Sequence, residues 1–127
     1  ALPLPATAAP ESAFVASADV AWTTVGDGVR RQVLGYGPDL MLVRVDFDRD
    51  GVGAVHRHPH RQVTYVAAGR FAVQVGGQRR ELGPGDCFFA VADAPHGVVA
   101  LEDGTLIDVF TPARQDFLAT AGWAPRR

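Results

Sequence analysis

The chain has 127 residues, enough for one domain and too few for two of ordinary size. With 47% hydrophobic and 20% charged residues and a net charge of −2, it reads as globular, with no electrostatic pull towards nucleic acid or an anionic membrane. No run approaches the ~20 apolar residues of a membrane helix. The first ten residues lack a basic start, and the single Cys87 cannot close an internal disulfide, so the expected compartment is the cytoplasm.

Residues 1–18 are expected to form an extended arm, because Pro3, Pro5 and Pro10 defeat both helix and central strand. Such an arm could lie over its own domain or reach a partner. Residues 19–127 are expected to be one domain. From Val20 onward, short runs rich in Val, Leu, Phe and Tyr alternate with Gly, Pro and Asp turn signals. The expected strands are 20–25, 29–36, 40–47, 54–58, 62–68, 70–75, 78–82, 87–91, 97–101 and 105–110. Asp50-Gly51 and Gly76-Gly77 tolerate positive φ, and Gly83-Pro84-Gly85-Asp86 is a turn with a fixed φ between two glycines. Cys87 reads as a buried small hydrophobe, and Tyr65 as a core or barrel residue. Only 111–121 reads as a helix, with Thr111 as N-cap and Pro112 in its first turn. Ten short strands and one helix describe an all-β sandwich or barrel.

The segment Val55-His56-Arg57-His58-Pro59-His60-Arg61-Gln62 carries the chemistry. His56 and His58 are two apart, so on a strand both project from one face. His96 follows a turn at Ala94-Pro95. Three imidazoles and a further oxygen or nitrogen donor suit one borderline divalent ion such as Zn, Ni, Fe or Mn, with positions left for water or substrate. His60 and Gln62 share the parity of His56, so spacing leaves the fourth donor open between them. His60 otherwise reads as an entrance or exposed loop residue. Farther on, Asp108 interrupts an apolar strand and shares a face with Phe110, and Arg114 lies just past the strand end. A carboxylate facing a barrel interior is costly unless it is paired or serves a site. A guanidinium at the mouth can fork onto a ligand carboxylate.

The stretch Gly51…His56-x-His58-x3-Gln62-x6-Gly69 resembles the first cupin motif, and Gly85-Asp86…Pro95-His96 resembles the second. The resemblance implies a cupin, or double-stranded β-helix, jelly-roll barrel with His56, His58, Gln62 and His96 around one metal ion. Gln62 stands where cupins usually carry a carboxylate, which leaves the donor set neutral and the ion more strongly polarising. Together with Asp-Val-Phe-Thr-Pro-x-Arg-x-Asp-Phe-Leu, these motifs resemble the KdgF-type cupins of uronate degradation; Arg61 departs from the Glu usual there.

That resemblance implies an enzyme that converts a 4,5-unsaturated uronate monomer to its open-chain 5-keto form, with Asp108, Phe110 and Arg114 facing the metal. It also implies a homodimer and a small, carboxylated sugar as substrate. The residues fit the chemistry: Arg114 can anchor a carboxylate, Asp108 can protonate carbon 4 or activate water, and Phe110 can shape the wall. Two other functions suit such a site, an Fe(II) dioxygenase and a non-catalytic small-ligand-binding cupin.

Overall fold

The computed structural model describes residues 4–121, and all ten expected strands are present in it. They are β1 (Thr23–Gly26), β2 (Val29–Gly37), β3 (Leu40–Phe47), β4 (Val52–His56), β5 (Arg61–Ala68), β6 (Phe71–Val75), β7 (Gln78–Leu82), β8 (Cys87–Ala90), β9 (His96–Ala100) and β10 (Gly104–Thr111). A six-stranded sheet runs β1-β2-β3-β10-β5-β8, and a four-stranded sheet runs β4-β9-β6-β7. Every pairing is antiparallel. This is the expected all-β jelly roll.

The sheets close on each other through alternating apolar residues. Met41, Val43 and Phe47 of β3, Val66 of β5, Phe71 and Val73 of β6 and Leu106 of β10 are all buried. Phe47 and Phe71 join the two sheets edge to face, with ring centroids 5.2 Å apart. The expected turns are in place. Gly76 (φ 57°) closes the β6–β7 hairpin, whereas Gly69 (φ 79°) packs so close that a Cβ there would lie 2.5 Å from the Asp103 carbonyl.

The arm lies over its own barrel. Ala21 N–H donates to Pro5 O (3.0 Å), Tyr36 Oη to Ala8 O (3.1 Å) and Glu11 N–H to Tyr36 O (2.7 Å). Gln32 Nε2 reaches both Ser17 O and Val20 O, which ties the short 3-10 turn Ser17–Asp19 to β2. Among the described residues, no helix is long and apolar enough to cross a membrane.

Four expectations need correction. The helix α1 spans Gln115–Thr120, not 111–121, and its N-cap is Arg114 rather than Thr111. Pro112 holds the preceding residue in extended geometry, so Thr111 stays in β10 and pairs with Arg61. Cys87 is exposed and Tyr65 is 49% exposed. The two pair across β5 and β8 on the outward face, while their neighbours Thr64 and Phe88 take the inward one. Finally, the strand expected over 54–58 ends at His56, which leaves His58 in the crossover to β5.

Candidate metal centre

The four-stranded sheet carries two of the histidines. His56 and His96 lie directly opposite each other at the ends of β4 and β9. Regular alternation would not put them on one face. From the Gly53–Val98 pair to the His56–His96 pair, β4 takes three steps and β9 takes two. The extra residue is a β-bulge, which turns His56 to the side of His96. Gly97 lets the strands meet closely there, since a Cβ would sit 2.9 Å from both Gly53 O and Val55 N.

His58 arrives by another route. The chain leaves the four-stranded sheet at His56 and enters the six-stranded sheet at Arg61, and His58 hangs inward from this crossover, only 7% exposed. The ring centroids lie 4.5 Å (His56–His96), 4.8 Å (His58–His96) and 5.3 Å (His56–His58) apart. One ligating nitrogen from each falls within 4.8 Å of the others.

The hydrogen bonds decide which nitrogen faces the centre. His56 Nδ1 lies 2.9 Å from Ala54 O, His58 Nδ1 3.0 Å from His60 O and His96 Nδ1 2.8 Å from Ala94 O. A carbonyl can only accept, so each Nδ1 carries the proton and each Nε2 keeps a lone pair. Burial lowers the pKa of both His58 and His96, with the Arg114 charge and, for His96, the other imidazoles adding to it. Neutral imidazoles are what a metal requires.

The six-stranded sheet supplies the facing wall. Gln62 and Thr64 point inward from β5, and Asp108 and Phe110 point inward from β10, with Gln62 opposite Phe110 and Thr64 opposite Asp108. Thr64 Oγ1 donates to Asp108 Oδ1 at 2.6 Å, while Gln62 Nε2 donates to Thr64 Oγ1 at 2.8 Å and lies 3.4 Å from Asp108 Oδ1. With Asp108 ionised, this chain has one polarity only, and it aims Gln62 Oε1 away from the carboxylate. That oxygen lies 3.0 Å from His58 Nε2, so two acceptors face each other with no proton to share. His96 Nε2 is buried and has no hydrogen-bond partner among the described residues. A cation between these atoms satisfies all of them, so the donor set fits a divalent metal.

Asp108 is displaced in the other direction. Burial pushes its carboxyl up to about 6, against the opposing pull of Thr64, Arg114 and Gln62. A cation beside it would draw that value down again. Phe110 stands edge-on to His58 at 5.8 Å. Arg114 is 8% exposed; its Nε and Nη2 donate to Asp116 at 3.0 and 2.8 Å, and its guanidinium lies 4.1 Å from the Phe117 centroid. Of these groups, His56, His96, Gln62, Asp108, Phe110, Arg114 and Phe117 line a cavity of about 420 Å³, also bordered by Arg31, Phe88 and Leu106.

Residues 43–110 match the family model of the Cupin domain. This chain is a cupin. The cupin is 46% identical over 99 residues to the pectin degradation protein KdgF of Dickeya dadantii, covering 76% of this chain and 90% of that protein. KdgF from Halomonas sp. superposes with a TM-score of 0.80 at 42% identity, over 84% of this chain and 98% of that one. An RmlC-like cupin from Shewanella frigidimarina does so with a TM-score of 0.81 at 42% identity, over 84% and 96% of the two chains.

Six of the seven expected site residues line this cavity, and the seventh, His58, packs against His96 and Phe110 beside it. His60 stands apart from the three clustered nitrogens; its ring abuts His58 edge-on at 5.4 Å, half-buried beside the loop. Sequence reasoning passed over four residues that shape the site: Thr64, Asp116, Phe117 and Arg31. Thr64 shares the parity of Gln62, and Asp116 follows Arg114 by two. Arg31 sits in the alternation Val29-x-Arg31-x-Val33, a charge in an inward row.

Proposed function

We propose that this cupin converts a 4,5-unsaturated uronate monomer to its open-chain 5-keto form, with one divalent ion held by His56, His58, His96 and Gln62. The observation that carries the reading is the Gln62–Thr64–Asp108 chain. It aims the amide oxygen at the imidazole lone pairs and leaves a carboxyl group on the other side of the same cavity. The likeness to KdgF of D. dadantii supports the substrate class. A bound ion would supply a Lewis acid for an oxygen of the sugar, and Zn, Ni, Fe and Mn all suit these donors.

The reaction is an isomerisation. The C1–O5 hemiacetal bond breaks, the C1 hydroxyl loses its proton to become the aldehyde, and carbon 4 gains a proton as the enol becomes a ketone. Asp108, the buried carboxyl that faces the imidazoles across the cavity, holds and moves that proton. Arg114 keeps further N–H donors after Asp116 takes two, and these bind the substrate carboxylate. Phe110 forms the apolar wall beside His58.

The test is incubation of metal-loaded protein with an unsaturated uronate monomer, following the ultraviolet absorbance of the C4=C5 bond. The expected result is a loss of absorbance well above both the spontaneous rate and that of metal-stripped protein. Equal rates in all three would sink the reading.

A further inference from the structure

We propose that Asp116 is a positioning residue: it fixes the Arg114 guanidinium so that one edge stays open to an acid group, and so sets the affinity for acidic sugars. The proposal rests on the uronate reading above and adds to it a residue that acts without touching the substrate.

Arg114 follows the end of β10 and precedes α1 with an extended backbone (φ −78°, ψ 94°). Its backbone is held on both sides. Ala113 N–H donates to Pro38 O (3.2 Å), and Phe117 N–H (3.0 Å) and Leu118 N–H (3.3 Å) donate to Arg114 O. The guanidinium then meets two rings, with Cζ 4.1 Å from the Phe117 centroid and 5.2 Å from that of Phe110. Rings attract a guanidinium but leave its N–H groups without an acceptor in the plane. Among the described residues, the Arg114 side chain has one acceptor, the Asp116 carboxylate.

That acceptor decides the orientation. A carboxylate that takes Nε and Nη2 together lies in the guanidinium plane and occupies one edge of it. The edge left over carries both N–H groups of Nη1 and the second of Nη2, which is a fork for another carboxylate. Arg114 borders the cavity, whereas Asp116, its side chain 60% exposed, does not. Asp116 thus grips the cation from outside and leaves the open edge to the cavity. Arg114 in turn holds the Asp116 carboxyl below its ordinary range, so both partners are charged at neutral pH.

A long side chain that is still mobile loses rotamer freedom when it binds, and the fork removes that freedom beforehand. Charge alone argues the other way. Asp116 is an anion near the site proposed for an anion, so neutralising it would tighten acid binding. Positioning predicts weaker binding, and the sign separates the two effects.

The experiment uses the metal-loaded full chain as wild type, Asp116→Asn, Asp116→Ala and Asp116→Glu. Calorimetric titration with D-galacturonate and with D-galactose measures affinity with and without the acid group. A steady-state assay with an unsaturated uronate gives KM and kcat. Wild type is expected to bind galacturonate more tightly than galactose. Asp116→Asn weakens galacturonate binding and raises KM about fivefold, because ordering Arg114 becomes part of binding. Galactose affinity, kcat and metal content stay within about twofold. Asp116→Glu, which can rebuild the fork, recovers most of the loss.

Unchanged or tighter galacturonate binding in Asp116→Asn overturns the proposal. So does an equal loss for galactose, because Asp116 has contacts beyond this fork and a merely structural role would weaken both sugars. A wild type that binds both sugars alike overturns it too. Should Asp116→Asn not fold, Asp116→Ala is read by the same signs. Galacturonate affinity that depends on Asp116 without any uronate turnover would uphold the positioning role and reject the reaction. Turnover with normal KM and normal galacturonate affinity in Asp116→Asn would do the reverse.

Discussion

The two walls of the cavity hold their polar groups by different means. On one side, each imidazole is fixed by a backbone carbonyl two residues away: His56 by Ala54, His58 by His60 and His96 by Ala94. On the other, Gln62 bonds Thr64 on its own strand, and both reach Asp108, 46 and 44 residues away in the chain. Local clamps orient lone pairs and require little beyond the immediate turn. The facing chain depends on the register of β5 against β10, and it places a buried carboxyl, its pKa raised by burial, across the cavity from the imidazoles. One wall is suited to hold a cation and the other to handle a proton.

Substitutions should separate these duties. The largest effect is expected for His96→Ala, which removes a buried donor from the clamped wall. Metal content measured by mass spectrometry should fall from about one equivalent to under about a tenth, with turnover lost. A variant that retains its metal would mean that the three imidazoles do not act as a set.

Asp108→Asn should break the other wall alone. The amide preserves shape but cannot supply a carboxyl proton, so the expected loss in turnover is about 10²- to 10⁴-fold with metal content unchanged. Wild-type activity in this variant would remove Asp108 from the proposed chemistry.

Thr64→Val tests the chain itself. Losing the hydroxyl strips Gln62 Nε2 and Asp108 Oδ1 of their shared partner, which should cost about 1–3 kcal/mol in chemical denaturation. The metal should bind with only modest weakening, since the backbone clamps are untouched. Cys87→Ser provides the baseline. On the outward face of β8, it should change stability by no more than about 0.5 kcal/mol and leave the metal and turnover unaffected.

Much of this molecule is written in short-range signals. Turn residues such as Asp50-Gly51 and Gly76-Gly77, with the apolar runs between them, specify ten strands, because a positive φ and a two-residue alternation are properties of adjacent residues. The spacing of His56, His58 and His96 likewise pointed to the cluster of imidazoles that the structure brings together. The same local reasoning erred wherever the outcome depended on distant strands. It buried Cys87, because an apolar run does not say which face turns inward. It started the helix at Thr111, which pairing with Arg61 keeps in β10.

It also placed His56 and His58 on one strand, whereas a bulge turns the first to the side of His96 and a crossover between sheets delivers the second. The bond between Thr64 and Asp108 and the meeting of Arg31 and Arg114 at Phe117 follow from register and from the closure of one sheet on the other. No window of neighbouring residues contains that information. Side chains far apart in the chain become neighbours only when long-range pairing aligns them.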